Sequence, residues 1–264
     1  MGHVNDGVTV RAGNEPSLHA FDGVADAYDR AWVDLPLVRA WRARVIHALL
    51  DRLPPGVAAR VVDLGCGPGA DAAILAPFAQ VVGLDASPRM VTRARARGVD
   101  ARVVDLGDPV ALRGALTTPA DSAGWDGALS NFGALNCLAD LRPLAAVLAA
   151  TLPRRAPLVV VVMGRRCPAE DLALLRLRRR PRRRDGRVRV GEGAVPVRYL
   201  DARTVSAELA PSFRMEHHEA LGLLDAPPDL GGVYAWTTRL EPRIAALPWL
   251  RDLGDHHLLV FRRA

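Results

Sequence analysis

Lysine is absent from this chain of 264 residues; all 35 of its basic residues are arginine. That bias reads as the codon usage of a high-GC genome, so the high isoelectric point is weak evidence for a selected basic surface. The charge is also local. Eleven arginines and three acids between residues 165 and 190 give that segment +8, and the remainder carries −2. A near-neutral body with one arginine-rich excursion is not the footprint of a basic nucleic-acid binder. Cysteine is scarce, with Cys66, Cys137 and Cys167 far apart and odd in number. Without a CxxC pair the sequence argues against a disulfide scaffold or a zinc ribbon; no metal site is expected, and a reducing cytoplasm is the expected compartment. No uninterrupted apolar run reaches the ~18 residues of a membrane span. Residues 1–20 are polar and lack an apolar h-region, so no secretory signal is expected. Internal repeats are lacking, and residues 176–184 form the one low-complexity patch.

What is present is apolar material, 50% of the chain, enough to bury a large core in one α/β domain. Residues 1–18 read as a loose tail. Over 19–55 apolar residues recur at helical spacing (Phe21, Val24, Ala25, Tyr28, then Val38, Trp41, Val45, Ile46, Leu49). This predicts two helices broken near Pro36 and closed by the turn Pro54-Pro55-Gly56. Short apolar runs then alternate with helical stretches: strands at 60–64, 81–85, 103–104, 127–129 and 158–163, helices at 71–78, 88–97 and 141–152. Continuous apolar strands between helices imply a parallel sheet covered on both faces, with right-handed crossovers. Beyond Met163 come the arginine stretch, the segment Val195-Pro196-Val197-Arg198-Tyr199, a helix near 202–209, a strand near 213–218 and a last strand at 257–261. The expected organisation is a helical lid (19–55), a ligand-binding core (56–163), a cap with the late strands (164–254) and a final strand (255–264).

One loop carries the chemistry. In Val61-Val62-Asp63-Leu64-Gly65-Cys66-Gly67-Pro68-Gly69 a strand ends, three glycines alternate with other residues, and a helix begins. Glycine lets the backbone turn sharply and approach a ligand without a Cβ clash. Asp85 ends the next strand about twenty residues on, where a carboxylate can take both ribose hydroxyls. The spacing is GxGxG rather than GxGxxG, and the following helix opens with Asp71, a carboxylate unwelcome beside a pyrophosphate. A nicotinamide dehydrogenase is therefore a distant alternative.

VVDLGCGPGADA resembles motif I of the class I methyltransferases, and VVGLDASPRMVTRARARG resembles their second motif with its following helix. ARVVDLGD is similar to their adenine-contacting segment. DGALSNFGALNCL is similar to the fourth strand and post-strand segment of bacterial small-molecule methyltransferases. Phe21-Asp22 and Tyr28-Asp29 resemble the lead-in helix of the ubiquinone/menaquinone-type branch, and GDHHLLVFRR resembles the final antiparallel strand. The resemblance implies an α/β, doubly wound, Rossmann-like fold of about seven strands, the last antiparallel. It implies S-adenosyl-L-methionine as cofactor and S-adenosyl-L-homocysteine as product. Carried over by position, Gly65, Gly67 and Gly69 would lie under the methionine part, with Asp63 ordering the loop or meeting the amine through water. Asp85 would bind the ribose, Ala86 and Met90 would flank the adenine, Asp105 would accept from its amino group and Leu106 would pack on the ring. Ser130 and Asn131 would end the fourth strand beside the sulfonium, and Tyr28 would come from the lid.

The acceptor side is less defined. A general base is needed only if the acceptor must lose a proton, and histidine is the usual choice. Of the pairs His217-His218 and His256-His257, at most one member each can face a pocket, since neighbours on a strand point to opposite faces. His218 is the base candidate, and Tyr28 and Asn136 are expected to touch the acceptor. Cys66 is expected to be inert, and Cys137 has no identifiable base. The arginine segment reads first as a solvated helix end and loop, and otherwise as a lip steering an anionic, carrier-bound or RNA acceptor. It lacks aromatic residues for base stacking, so nucleic acid is disfavoured. Trp236, Trp249 and residues 221–224 suggest an apolar pocket under the cap. The expected reaction is methyl transfer to O, N or C of a small, largely hydrophobic metabolite by a monomer or homodimer. A protein of this fold that binds the cofactor without methylating is the alternative from another class.

Overall fold

The computed structural model describes residues 20–55, 58–118, 121, 123–179, 183, 185–190, 193–224 and 235–264. The expected tail at 1–18, Arg180, Arg182 and Arg184, and the side chain of Trp236 lie outside the described residues.

The sheet begins on the apolar run that precedes the glycine loop. Strand β1 (Ala59–Leu64) pairs in parallel with β2 (Ala79–Asp85), and β2 with β3 (Asp100–Val103). The chain then returns to the other side of β1, where β4 (Gly127–Ser130) pairs in parallel, followed by β5 (Pro157–Met163). That reversal makes a switch point between the carboxyl ends of β1 and β4, where an open α/β sheet forms its ligand crevice. The insert after β5 contains the hairpin β6 (Gly186–Val190) and β7 (Gly193–Val197). Strands β8 (Phe213–Leu221) and β9 (His256–Arg263) complete a seven-stranded sheet of order β3-β2-β1-β4-β5-β9-β8. The final strand runs antiparallel to both of its neighbours, as expected.

The period of two explains the core. In β5, Leu158, Val160 and Val162 join Val62, Leu64 and Ala128 on one face, while Val159 and Val161 join Val61 and Leu129 on the other. Both faces are apolar because both are covered. On the first lie α5 (Pro109–Leu116), α6 (Arg142–Thr151) and α8 (Ala202–Leu209), through Leu112, Leu148 and Leu209. On the second lie α2 (Pro36–Leu50), through Trp41, Val45 and Leu49, and α3 (Ala70–Leu75), through Leu75. Helix α4 (Pro88–Ala96) is capped by Ser87, whose Oγ accepts from the Met90 amide at 3.1 Å, with Pro88 in its first turn.

The lid is an acid ladder laid across α4. Residues Ala20–Val24 form a tight turn, α1 (Ala25–Tyr28) follows, and a wider turn runs to Val33. Asp22, Asp26 and Asp29 recur at helical spacing and meet an equally helical row on α4 and its end. Arg89 reaches Asp26 at 2.7 Å, and Arg93 and Arg97 reach Asp29 at 2.6 and 2.5 Å. Asp22 accepts from Ser87 Oγ, and Arg97 donates to the Pro68 carbonyl of the glycine loop. Partly exposed pairs of this kind each contribute little. The lid is thus placed in register over the loop without being locked there.

Candidate functional site

Across the switch point, Tyr28, Val33 and Arg42 of the N-terminal helices face Gly65, Gly67, Asp71, Asn131 and Phe132 over a narrow cleft. The three glycines have different tasks. A Cβ on Gly65 would lie 2.2 Å from Ala134 Cβ, and one on Gly69 would lie 2.9 Å from Ala94 Cβ. Gly65 therefore lets the turn after β4 close on β1, and Gly69 lets α4 pack. Gly67 would meet nothing within 4 Å, so it is the glycine that opens onto the cleft. Cys66 is buried beneath, in the space left by Gly83, and burial pushes its thiol well up. It is inert.

Asp85 closes β2 with a half-buried carboxylate that accepts from the amides of Gly67 (2.8 Å) and Ser87 (2.9 Å). One side chain thereby fixes both the glycine loop and the entry to α4. Burial, only partly offset by those two bonds, holds its carboxyl above the ordinary value. Ala86 is half-buried beside it, and Met90 is buried in α4. Asp105 follows β3 and accepts from the Gly107 amide at 2.8 Å, while Leu106 enters the main core and comes within 4.0 Å of the Gly65 Cβ position. Ser130 is buried, and its Oγ donates to the Leu64 carbonyl at 2.8 Å, tying β4 to β1.

Beneath the loop lies a polar group of unequal charges. Arg42 is buried on the apolar face of α2 and meets Asp71 at 2.5 Å. Asn131 Nδ2 donates to the same Asp71 at 3.0 Å, and the Arg42 guanidinium stacks 4.9 Å above the Phe132 ring. Phe132 holds a left-handed φ of 50°, fixed by its amide donating to Asn131 Oδ1 at 2.9 Å. Such strain in a bulky residue is maintained only where the surroundings impose it. Asp63 is 1% exposed, and its Oδ2 has no partner among the described residues; neither has Arg42 Nε. Burial and the nearby Asp71 carboxylate push the Asp63 carboxyl well up. An orphaned carboxylate oxygen and an orphaned guanidinium N–H fit, in charge, the ammonium and carboxylate of an amino-acid group.

The Asp63 arrangement has a testable consequence for stability. An acid whose pKa is raised by folding contributes stability at low pH that is lost as pH rises through the raised value. The buried carboxyl, wherever it is ionised, is therefore a burden on the empty protein. Asp63→Asn should raise the thermal midpoint of the ligand-free chain by about 2–4 °C at pH 7, with the gain fading in acid. Differential scanning fluorimetry at pH 5 to 8 measures this, and a fall in midpoint at pH 7 would contradict it.

Two expected acceptor residues are placed elsewhere. Asn136 is buried with both of its N–H donors used: Nδ2 donates to the carbonyls of Met163 (3.1 Å) and Arg198 (2.5 Å), and Oδ1 accepts from the Met163 amide (2.9 Å). It ties the turn after β4 to the end of β5 and to the chain after β7, and has no N–H left for an acceptor. His218 lies on β8, the far edge strand, and is absent from the cleft wall. Burial, then His257 and Arg251, push it down to about 3, and its Nε2 lies 3.3 Å from His257 Nδ1. Tyr28 does line the cleft. Burial, and then the Asp85 carboxylate, push its phenol up to about 12, so it acts as a hydrogen-bond donor and not as a base.

Sequence reasoning passed over Arg42 and Phe132, and named His256 only as one of a pair. Arg42 was detectable: a charge at 42 interrupts the buried helical row Val38, Val45, Leu49. His256 could not be singled out from its pair, because Trp41 and Phe132 converge on it from distant segments. The arginine segment also divides. Arg176, Arg178 and Arg179 are exposed, whereas Arg183 is buried between Glu170 and Asp255. Cys167, Glu170 and Asp255 place ligand atoms within 4.8 Å of one another, but both carboxylates are already salt-bridged to Arg183.

A mostly parallel sheet of order 3-2-1-4-5 extended by an antiparallel pair, with a glycine loop at its switch point, defines the class I methyltransferase fold. Residues 61–152 match the family model described as a methyltransferase domain. Over 70 residues the chain is 49% identical to trans-aconitate 2-methyltransferase of Mycolicibacterium gilvum (strain PYR-GCK), covering 25% of this chain and 28% of that protein. The Mycobacterium tuberculosis enzyme of the same name (strain ATCC 25177 / H37Ra) is 47% identical over 70 residues, covering 25% and 27%. The chain thus spans little more than a quarter of the length of these curated relatives. A SAM-dependent methyltransferase from Anabaena variabilis ATCC 29413 superposes with a TM-score of 0.61 at 15% identity, over 97% of this chain and 99% of that one. The N-methyltransferase NodS of Bradyrhizobium japonicum WM9, solved with S-adenosyl-L-homocysteine, gives 0.51 at 16% identity, over 92% and 99%. At these identities the structures speak to the fold. Residues 61–152 are thus similar to a methyltransferase domain, and the fold is that of the S-adenosylmethionine-dependent methyltransferases of known structure. No helix among the described residues is long and apolar enough to cross a membrane.

Proposed function

We propose that this protein transfers a methyl group from S-adenosylmethionine to an O, N or C atom of a small, largely apolar metabolite held between Tyr28 and Phe132. The observation that carries the reading is the cleft itself: Gly67, held from behind by Asp85, on one wall, Asn131 and Phe132 on the other, and a lid docked above by the acid ladder. Asp85 would take the ribose hydroxyls, and the orphaned Asp63 and Arg42 groups would take the amino-acid end. Asn131 holds Asp71 against Arg42, so the polar wall keeps its shape. Ala86 and Met90 would border the adenine on the α4 side, and Asp105 and Leu106 would border it from the turn after β3.

The bound sulfonium supplies an already activated methyl group. The protein's part is then to hold the acceptor in line and exclude water, which together account for a large share of such a rate. An apolar acceptor is favoured because the cleft's cation, Arg42, is matched by Asp71 and covered by Phe132. A second reading, a small acid, is favoured by the name of the relatives matched over 70 residues. Calorimetry with S-adenosylhomocysteine and NADH tests the cofactor, and tight binding of NADH alone would overturn the reading. S-adenosylhomocysteine formation from 2-naphthol, tryptamine and trans-aconitate then tests the acceptor. Turnover of trans-aconitate alone would replace the apolar reading with the acidic one. Binding with no turnover of any acceptor, cell extract included, would make this a cofactor-binding protein.

A further inference from the structure

A buried chain of charges leads from the insert after β5 to His256, which lies behind the cleft-lining Phe132 and is not itself on the cleft wall. The guanidinium of Arg183 donates Nε to Glu170, on α7 (Pro168–Arg176), and a second N–H to Asp255 Oδ1. It also donates to the Gly164 and Asp255 carbonyls at 2.8 and 3.0 Å, and lies over the Tyr199 ring at 5.6 Å. The other oxygen of Asp255, Oδ2, lies 3.1 Å from Nδ1 of His256. The His256 ring sits edge-on to Phe132 at 5.8 Å between centroids and tilted to Trp41 at 5.7 Å. Gly222, at φ +70°, makes this convergence possible, since a Cβ there would lie 2.7 Å from the Trp41 ring and 2.8 Å from Asp255 Cβ.

We propose that His256 is the proton acceptor of the acceptor site, with Asp255 as its positioning residue and Arg183 fixing Asp255. The proposal rests on reading the cleft as a methyl-acceptor site. Against the upward push of burial, His256 and Arg183 hold the Asp255 carboxyl well below the usual carboxylate range. An ionised carboxylate at Nδ1 selects the tautomer with hydrogen on Nδ1 and leaves the Nε2 lone pair bare. No partner meets Nε2 among the described residues. When an acceptor hydroxyl attacks, its oxygen bonds to the methyl carbon, the carbon–sulfur bond breaks with its electron pair going to sulfur, and the hydroxyl proton passes to Nε2. The positive charge lost from the sulfonium thus reappears on an imidazolium that the Asp255 carboxylate stabilises. The charged and titratable groups around the ring are Asp255 on its own turn, His257 on the opposite face of β9, and Arg183 behind Asp255. From α2 and the turn after β4 come Trp41 and Phe132, with Arg42 stacked on the latter.

Imidazole nitrogen shifts of histidine-labelled full-length protein test the geometry without any acceptor. Wild type should show His256 protonated at Nδ1 in its neutral form. In Asp255→Asn, Arg183 retains the amide oxygen, so the NH₂ faces Nδ1 and should invert the tautomer. A wild-type ring protonated at Nε2 would overturn the proposal. With 2-naphthol as acceptor, His256→Gln should slow S-adenosylhomocysteine formation by about 100-fold or more. The affinity for S-adenosylhomocysteine should stay within about threefold, and the deficit should shrink above about pH 9 as the naphthol ionises by itself. Equal rates in variant and wild type at pH 7 would also overturn it. If wild type binds S-adenosylhomocysteine but ignores 2-naphthol, the apolar-acceptor reading fails and the tautomer decides the role of His256 separately.

Discussion

Asp85→Ala should leave the chain folded and weaken its affinity for S-adenosylhomocysteine by about 100- to 1000-fold. The wild-type carboxylate accepts from the Gly67 and Ser87 amides, so it shapes the loop, and the proposed ribose contact would use its remaining lone pairs. Alanine removes the acceptor for both hydroxyls and frees the loop. Two hydrogen bonds to a charged group at about 1.5–2 kcal/mol each give the range stated. The fold should survive, because burial already makes ionised Asp85 a net cost to the empty protein at neutral pH. The pH dependence has a definite sign. Hydroxyl donors need the ionised acceptor, so wild-type affinity should fall as pH drops through the raised Asp85 value, at a higher pH than an ordinary aspartate would give. Titration calorimetry of both proteins from pH 4 to 8 checks this, and unchanged affinity in the variant would remove Asp85 from the site.

Asp85 shows what is legible in a sequence and why. It lies next to its partners along the chain: the loop at one strand's end and the carboxylate at the next belong to a single βαβ unit, where spacing and position coincide. The same holds for β1, β2 and β5, whose continuous apolar runs state that both faces are covered. Side chains whose partners are remote in sequence were misassigned. Asn136 follows the fourth strand, where an acceptor contact is expected, yet its three bonds go to Met163 and Arg198. The histidine pairs obeyed the alternation rule, since within each pair the rings go to different faces. The choice between members needed the register: His256 opposes Met163 at the end of β5, whereas His218 opposes Leu259 near the sheet edge. The hairpin β6–β7 was read as an arginine stretch and an extended segment, because its packing against Ala20 is tertiary.

Arg183→Leu should be the most destabilising change in the arginine-rich segment, costing about 3–5 kcal/mol, or roughly 6–15 °C in the thermal midpoint. The side chain is 8% exposed and faces two carboxylates, Glu170 and Asp255, that are 5% and 11% exposed. Leucine fills much of the volume but takes the Arg183 cation away from two buried acids. Removing one partner of a buried ion pair costs far more than the intact pair contributes. Arg176→Leu, Arg178→Leu and Arg179→Leu alter exposed positions and should stay within about 0.5 kcal/mol of wild type. Acid gives a second check. A carboxyl whose pKa folding depresses contributes stability above its unfolded value and loses it as pH falls through the depressed value. Arg183 supplies part of that contribution and His256 the rest, so the gap between the two melting curves should be widest near neutrality and narrow below about pH 4. A uniform small loss for all four arginines would mean that the segment is a solvated charge run throughout. A loss confined to Arg183 would mean that one arginine of that run is a core residue, joined through Asp255 to the histidine beside the cleft.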